Sequence, residues 1–578
     1  MKYIQMRLNI KNIKVGFAGL LAVVLLDGCK KLDRFPYDSI SDDNISVGSA
    51  ESITRGTYAK MKEEYYYKTI HQIGEYGGDN VSLSGTTSDE LFNFYRYTRS
   101  ANSYYTARVW LFTYQMIGSI NSLLPVLENY AAPEAEKESI NHLIGENLLL
   151  RASAYFNCNN IFGRQYLDAG GANNNLGIPI KTTNDIDYFP PRSTVAQVYD
   201  QILSDATRAA SYMKRSGSTL PKNNNYASQE VAWAFLSRIY LYMGDWEKAG
   251  LYADSVINSG RYSLLQGEAY QKYAQHVPEA NSETIWCIRM VKDADFKDYF
   301  MDEYSVGAMY STIDQVGWGE MYPSESYLNL LRRNPNDLRF SFISNQPQSG
   351  QDLWMIYVVG NETAKTYNYV WKKVQRSGND YTIVQDANQY SSPTVQKETT
   401  AEGNTQYYVM SGGTRYNVWI EPALIDRNGY PKRYIMKCSY QEQQSQLYSP
   451  VLFRLAEMYL TRAEAKWHRN DFSGAVADLN VIRTRANVPL KTVAQAGTNA
   501  EILQWILNER RLELAWEAQR KYDILRNQQV IDRRYPGSHL TGTNYPLEIL
   551  PTDPRVVEYI PQSEIDAYPI PLTQNPVN

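Results

Sequence analysis

Cysteine, histidine and long apolar stretches are scarce in this 578-residue chain, and each scarcity excludes something. Its four cysteines, Cys29, Cys158, Cys287 and Cys438, stand far apart, with no CxxC pair and no metal-ligand spacing. A disulfide framework is therefore excluded, and the fold must be held by its own core. The last three cysteines read as small buried side chains. Five histidines, His71, His142, His276, His468 and His539, form neither HxxxH nor HExxH, which argues against a zinc hydrolase. Neither a GxSxG elbow nor a P-loop is present. The formal net charge is −4, with acids and bases mixed along the chain. No basic block offers a surface to nucleic acid or anionic lipid.

The one sustained apolar run is Val15–Leu26, preceded by Lys2, Arg7, Lys11 and Lys14 with no acid. A spanning helix needs about 20 apolar residues, so this run has the length of a signal-peptide core instead. Leu26-Asp27-Gly28-Cys29 follows it and resembles the bacterial lipobox, whose cysteine becomes the acylated N-terminus. The expectation is export, lipidation at Cys29 and membrane attachment without a crossing helix.

What the chain has in excess is tyrosine, 48 residues, with 11 tryptophans beside it. Such rings have an apolar face and a polar edge, which suits sugars and suits helical cores equally. Much of the chain has helical period. Apolar residues recur at i, i+3, i+4 and i+7 over Trp110–Leu127 and again over Glu138–Gly163. "STVAQVYDQILSDATRAASYM" opens with a cap signal at Ser193. Ser228–Tyr262 reads as two helices around a turn at Gly244-Asp245. Ala232, Leu236, Gly244, Trp246, Ala249 and Ala253 stand where packed helices need small or bulky residues. This stretch resembles a tetratricopeptide repeat (TPR) hairpin. Val451–Pro489 reads as a second, turning near Asn470-Asp471, with Ala463, Ala475 and Leu479 at the contact. The texture differs between ~265 and ~445, where Gly, Asn, Gln, Ser and Tyr dominate. "YNYVWKKV" and "RYNVWIEP" read there as strands or extended loops, and the many aromatics argue against disorder.

A series of short motifs in order carries a family resemblance: "CKKLDRFP", "LLLRASAYFNCNNIFGRQYL", "RSTVAQVYDQILSDA", "FRLAEMYLTRAEA", "NVIRTRANVP", "ILNERRLELAWEAQRKYDILR" and "IPQSEIDAYPIPLTQNP". Together they resemble the SusD/RagB family of nutrient-capturing surface lipoproteins of Bacteroidota. Ala518 and Tyr568 stand where that family has Gly and Asn. The resemblance implies a mainly α SusD-like fold with four TPR-like hairpins and an irregular, loop-rich portion containing short strands. It divides the chain into a signal peptide (1–28), an N-terminal helical region (29–264), an aromatic-rich ligand-binding portion (265–445) and a C-terminal helical region (446–578). It implies a cell outer-membrane location facing the exterior, a glycan ligand, no catalysis and a SusC-like TonB-dependent transporter as partner.

The charged residues of the motif helices are read as structural. Arg454, Glu457 and Glu464 share a helix and suit pairing with arginines such as Arg483, Arg485 or Arg510. Glu509, Arg510, Glu513, Glu517, Arg520 and Asp523 suit a buried polar network. Binding residues are sought on loops. Asp89–Tyr105 presents Tyr95 and Tyr97 for stacking and Asn93, Arg99 and Asn102 for hydrogen bonds. Tyr304–Pro323 presents Trp318 between two glycines, with Tyr310 and Tyr322 near it, and glycine flanks let a backbone expose a large ring. Tyr367, Tyr369, Trp371, Tyr407 and Tyr408 rank lower. No cofactor is expected. Asp293, Asp295, Asp298 and Asp302 allow a structural calcium, without EF-hand spacing. A lipid-anchored glycoside hydrolase, a ligand-free structural role and a peptide cargo stand as alternatives.

Overall fold

The computed structural model describes residues 45–85, 90–215, 218, 220, 222–295, 305–384, 394–400, 402–540 and 545–576. The signal segment, Cys29, Asp89, Asp298 and Asp302 lie outside them. Ten helices make the body: α1 (Val47–Met61), α2 (Glu64–Tyr76), α3 (Tyr104–Asn129), α4 (Lys137–Phe162), α5 (Val195–Tyr212), α6 (Gln229–Met243), α7 (Trp246–Asn258), α8 (Leu455–His468), α9 (Phe472–Arg485) and α10 (Asn499–Glu513). Eight of them pack as four TPR-like pairs, α1/α3, α4/α5, α6/α7 and α8/α9, each pair laid on the next, with α2 packed on α3 and α10 on α8. One apolar core runs from α1 to α8, and α8, α9 and α10 share a separate cluster of Ala463, Ala475, Leu479, Ile502 and Ile506. No helix among the described residues is long and apolar enough to cross a membrane.

Local chemistry explains the helix ends. Helix α6 stops at Gly244, which takes the left-handed conformation (φ 74°), and the Asp245 side chain then accepts from Lys248 N to start α7. The second hairpin repeats this with Asn470 (φ 64°) and an Asp471 cap on α9. Ala232, Leu236, Ala249, Ala253, Ala463, Ala475 and Leu479 are all buried, as the hairpin reading requires. Between the hairpins the Trp246 indole lies flat on His468 at 3.6 Å. The cap of α5 is Thr194, one residue beyond the expected Ser193. Gln197 decides this, because its side chain accepts from Thr194 N while Thr194 Oγ1 accepts from Gln197 N.

The portion expected to be irregular contains an ordered β unit. Strands β1 (Leu353–Asn361), β2 (Thr366–Ser377), β3 (Asp380–Ile383), β4 (Gln396–Thr399), β5 (Thr405–Ser411) and β6 (Thr414–Pro422) form one antiparallel sheet in the order β4-β5-β6-β1-β2-β3. The two ends of that order meet. Thr382 bridges to Thr394, and Val395 N donates to Tyr381 O at 2.9 Å just before β4. The sheet thus curls into a small up-and-down barrel, joined at its ends by this short contact. Met355, Tyr357, Val374, Ile383, Val395, Val409 and Val418 fill its interior. Their alternates on the outer face include Trp354, Ile356, Trp371, Trp419 and Glu421.

The motif helices meet at a buried ionic network. Arg454 pairs with Glu283 at 2.9 Å, Glu513 at 2.5 Å and Glu517 at 2.8 Å. Arg485 bridges Glu283 and Glu513 at 2.8 and 2.6 Å, and Arg339 joins Asp337 to Glu509, both at 2.7 Å. Lys437 pairs with Glu517 at 2.5 Å and donates to the Glu513 carbonyl at 2.7 Å. Burial works against a charge on Glu513, but Arg485, Arg454 and Arg339 outweigh it and hold its carboxyl well below the usual range. The structural reading of these residues stands. Glu464 reaches the expected Arg510 at 4.0 Å but pairs more closely with Arg526 at 2.5 Å, and Glu457 pairs with Arg238, a partner not expected, at 2.6 Å.

Removing one member leaves buried charge without a partner, which costs about 3–5 kcal/mol. Arg454→Ala is expected to lower unfolding free energy by that much, measured by urea denaturation. A loss under about 1 kcal/mol would show that the network is dispensable.

Candidate functional site

The loop that carries Trp318 is built on tight backbone geometry. Ile313 and Val316 exchange hydrogen bonds of 2.9 and 2.8 Å around Asp314 and Gln315, both at positive φ (50° and 67°). Ala308 O then accepts from Trp318 N at 2.7 Å and from Gly319 N at 3.1 Å. Gly317 (φ 96°) and Gly319 (φ 53°) have no room for a side chain. A Cβ on the first would lie 2.4 Å from Ser311 O, and one on the second 2.6 Å from Thr312 Oγ1. Gln446 clamps the loop from below by donating to Ser311 O and Val316 O at 3.1 and 2.9 Å. The indole is left 59% exposed on a backbone that is fixed on both sides.

Two other segments converge on this loop. Strand Met321–Pro323 pairs with Val81–Leu83, so Ser84 N donates to Glu320 O at 2.9 Å. The hairpin at Asn428-Gly429, with φ of 55° and 81°, brings Arg427 to donate to Trp318 O at 3.1 Å and to pair with Glu320. Asn428 donates to Ser84 O at 3.0 Å. The Arg427 hairpin thus abuts the backbone of the Trp318 loop, and Asp314 within the loop accepts from Ser445 Oγ at 2.9 Å. Arg427 and Asn428 were not picked out from the sequence, although Asn-Gly is a strong hairpin signal.

The remaining predicted residues are placed differently, and four need correction. Tyr95 and Tyr310 are fully buried, and Tyr97 and Tyr322 nearly so. None presents a ring face to a ligand in this structure. The short helix Leu91–Arg96 buries Leu91, Phe94 and Tyr95 on one side. The Tyr95 hydroxyl meets His539 Nδ1 at 2.8 Å, and the Arg533 guanidinium lies 4.8 Å from its ring. Tyr97 ends that helix in the left-handed conformation, and its hydroxyl donates to Gly77 O. Tyr310 shares a 2.7 Å hydrogen bond with His71 Nε2 beneath the Trp318 loop. Tyr322 lies in the strand beside Ser82. Arg99 is also committed, donating to Val557 O and Pro576 O at 2.9 Å each, which ties down the end of the chain. Asn93 accepts from Thr98 Oγ1 at 2.8 Å and is half-buried, whereas Asn102 is exposed.

The acidic loop considered for calcium is described only in part. Asp295 there pairs with Lys62 at 2.9 Å. Among the described residues no group of His, Cys, Asp and Glu has the arrangement of a metal site. Cys158, Cys287 and Cys438 are free and buried, as small core residues.

Comparison with known proteins identifies the family of the chain. A family model described as "SusD family" matches residues 282–577, and one described as "Starch-binding associating with outer membrane" matches residues 32–241. The chain belongs to the SusD family. A SusD-like protein of Formosa agariphila is 23% identical over 92% of this chain and 94% of its own length. The crystal structure of a SusD superfamily protein from Bacteroides thetaiotaomicron superposes with a TM-score of 0.70 at 26% identity, covering 92% of this chain and 100% of that one. A structure titled as a laminarin-binding SusD-like protein superposes at 0.59 and 18% identity, covering 92% and 99%.

Below the Trp318 loop, beside Tyr310 and Tyr76, lies Glu75. Burial pushes its carboxyl up to about 7, against Asn80, the Trp516 N–H and Lys437. In the unfolded chain it titrates near 4.5. Between these values the unfolded chain has lost the proton and the folded one retains it, so stability falls as pH rises and the loss is complete above pH 7. Glu75→Gln is expected to be neutral at pH 4 and stabilising by up to roughly 3 kcal/mol at pH 8, read from urea midpoints at the two pH values. Equal effects at both would refute it.

Proposed function

We propose that this protein is a glycan-capture lipoprotein of the cell surface. Acyl chains on Cys29 would tether it to the outer membrane, facing outward. The Trp318 loop would hold an oligosaccharide or polysaccharide, and a SusC-like TonB-dependent barrel would receive it. The observation that carries this reading is the exposed Trp318 indole on its glycine-framed loop, with Arg427 bound to the loop backbone beside it, in a chain of the SusD family. A ring face for stacking and a circle of donors and acceptors for hydroxyls is the chemistry a sugar needs. Sugar-binding and outer-membrane wording on relatives supports the class.

A role without chemistry is favoured by the state of the acidic residues. Glu457 and Glu464, two carboxylates on one helix, are each locked to an arginine. One stacked ring with a few hydrogen bonds exchanged against water gains little net. The expected Kd is on the order of micromolar to millimolar, tight enough to retain a polymer and weak enough to release it.

Native gels cast with a panel of polysaccharides test the reading on the chain from Lys30 onward, which keeps every residue of the described fold. Retardation by at least one glycan is expected. Trp318→Ala should abolish it without changing the melting temperature. Tyr95→Phe should do the reverse, keeping retardation while losing about 1–3 kcal/mol of stability from the orphaned His539. Retardation unchanged in Trp318→Ala would move the site elsewhere. Retardation by no glycan would refute sugar capture, and steady release of reducing sugar would make the protein a hydrolase. Cys29→Ser in cells should shift the chain out of the membrane fraction. Retention there would refute the anchor.

A further inference from the structure

A second cleft opens where the barrel leans on the helical body, away from the Trp318 loop. It is an open cleft of about 470 Å³ between the outer face of β6 and the short helix Glu325–Leu331. Trp419, Asn417 and Arg415 come from β6, Val358 from β1, and Asn329 and Arg333 from the body. No residue of the Trp318 loop lines it. The size is that of a small-molecule site, and seams between structural units are where such sites concentrate.

The indole in this cleft is held in place before any ligand arrives. Its Nε1 donates to Asn329 Oδ1 at 3.1 Å, and the Arg332 guanidinium lies 5.0 Å from its ring centroid. Arg332 is itself fixed by Glu325 at 2.7 Å and Glu421 at 3.7 Å, and Glu421 is paired with Arg433. A ring immobilised by partners of partners loses little freedom on binding, which favours affinity. Around it the chemistry is amide-rich and not dominated by one charge. Asn329 and Asn417 are exposed, and Arg415 is already neutralised by Glu398 while lying over Tyr408. A fixed aromatic ring beside amides and a guanidinium suits a polyhydroxylated ring better than a fatty or strongly anionic molecule.

We infer that this cleft between Trp419, Asn329 and Asn417 is a second saccharide subsite, separate from the one at Trp318. It rests on the reading of the protein as a glycan binder. Two subsites on one rigid body would engage a long polymer together, so polymer avidity exceeds the affinity of either subsite alone.

The test uses the chain from Lys30 onward, the gel polysaccharide that retards it most, and a short oligosaccharide of the same linkage followed by calorimetry. Asn417→Trp fills the cleft from an exposed strand position. It is expected to weaken polymer retardation on the order of 10- to 100-fold. Oligosaccharide affinity, carried by Trp318, should stay within about two-fold. Should Asn417→Trp melt lower than the parent, the exposed pair Asn417→Ala with Arg333→Ala takes its place. Polymer retardation unchanged by the cleft variants but abolished by Trp318→Ala would overturn the second subsite and leave the glycan reading intact. Retardation of the parent by no polysaccharide would overturn both.

Discussion

The buried ionic cluster around Arg454 and Glu513 is the constraint on which the rest of the structure depends. Its members come from chain segments near residues 283, 337, 437, 454, 485 and 513, so satisfying it fixes the C-terminal hairpin against the centre of the protein. Burying charge is expensive, and the expense is recovered only if every ion finds its partners at good distance. That condition is exacting. It tolerates one arrangement of α8, α9, α10 and the loops between them, and it thereby sets the platform from which both candidate sites project. Arg433 repeats the device on a smaller scale, joining Glu421 of the barrel and Asn345 of the body.

Aromatic residues divide into two uses. Many tyrosines lie in the core, and several have their hydroxyls engaged there, as Tyr58 on Glu146, Tyr270 on Glu513 and Tyr155 on Lys181 O. There the phenol serves as an apolar body that still satisfies a buried acceptor. A few rings remain at the surface on stiff supports. Trp318 is held by glycine geometry and backbone hydrogen bonds, Trp419 by a stacked guanidinium and an amide. These are different ways to reach one end, an aromatic face presented with little freedom left to lose.

How much of this was legible depended on the range of the interactions. The two hairpins at Gly244-Asp245 and Asn470-Asp471 were readable, because helical period, a left-handed stop and an aspartate cap act within a few residues of each other. The exposure of Trp318 had a local signal too, its two flanking glycines. The tyrosines of the Asp89–Tyr105 stretch had none. Tyr95 and Tyr97 look the same in sequence whether they face water or His539 and Gly77, and those partners lie far along the chain or across a turn. The barrel was missed for a related reason. Its strands are half-polar, and what makes them a barrel is closure between Thr382 and Thr394 and between β6 and β1.

By itself the sequence determined the two helical hairpins, the family and the residue types of the ionic network. Those properties follow from backbone preference and side-chain period, which neighbours along the chain control. Only the tertiary structure decided which carboxylate meets which arginine, which aromatic rings reach water, and that a loop-like stretch closes into a barrel with a cleft at its base. Each of those outcomes is set by packing between residues distant in the chain, where burial and partner geometry outweigh anything a local pattern encodes.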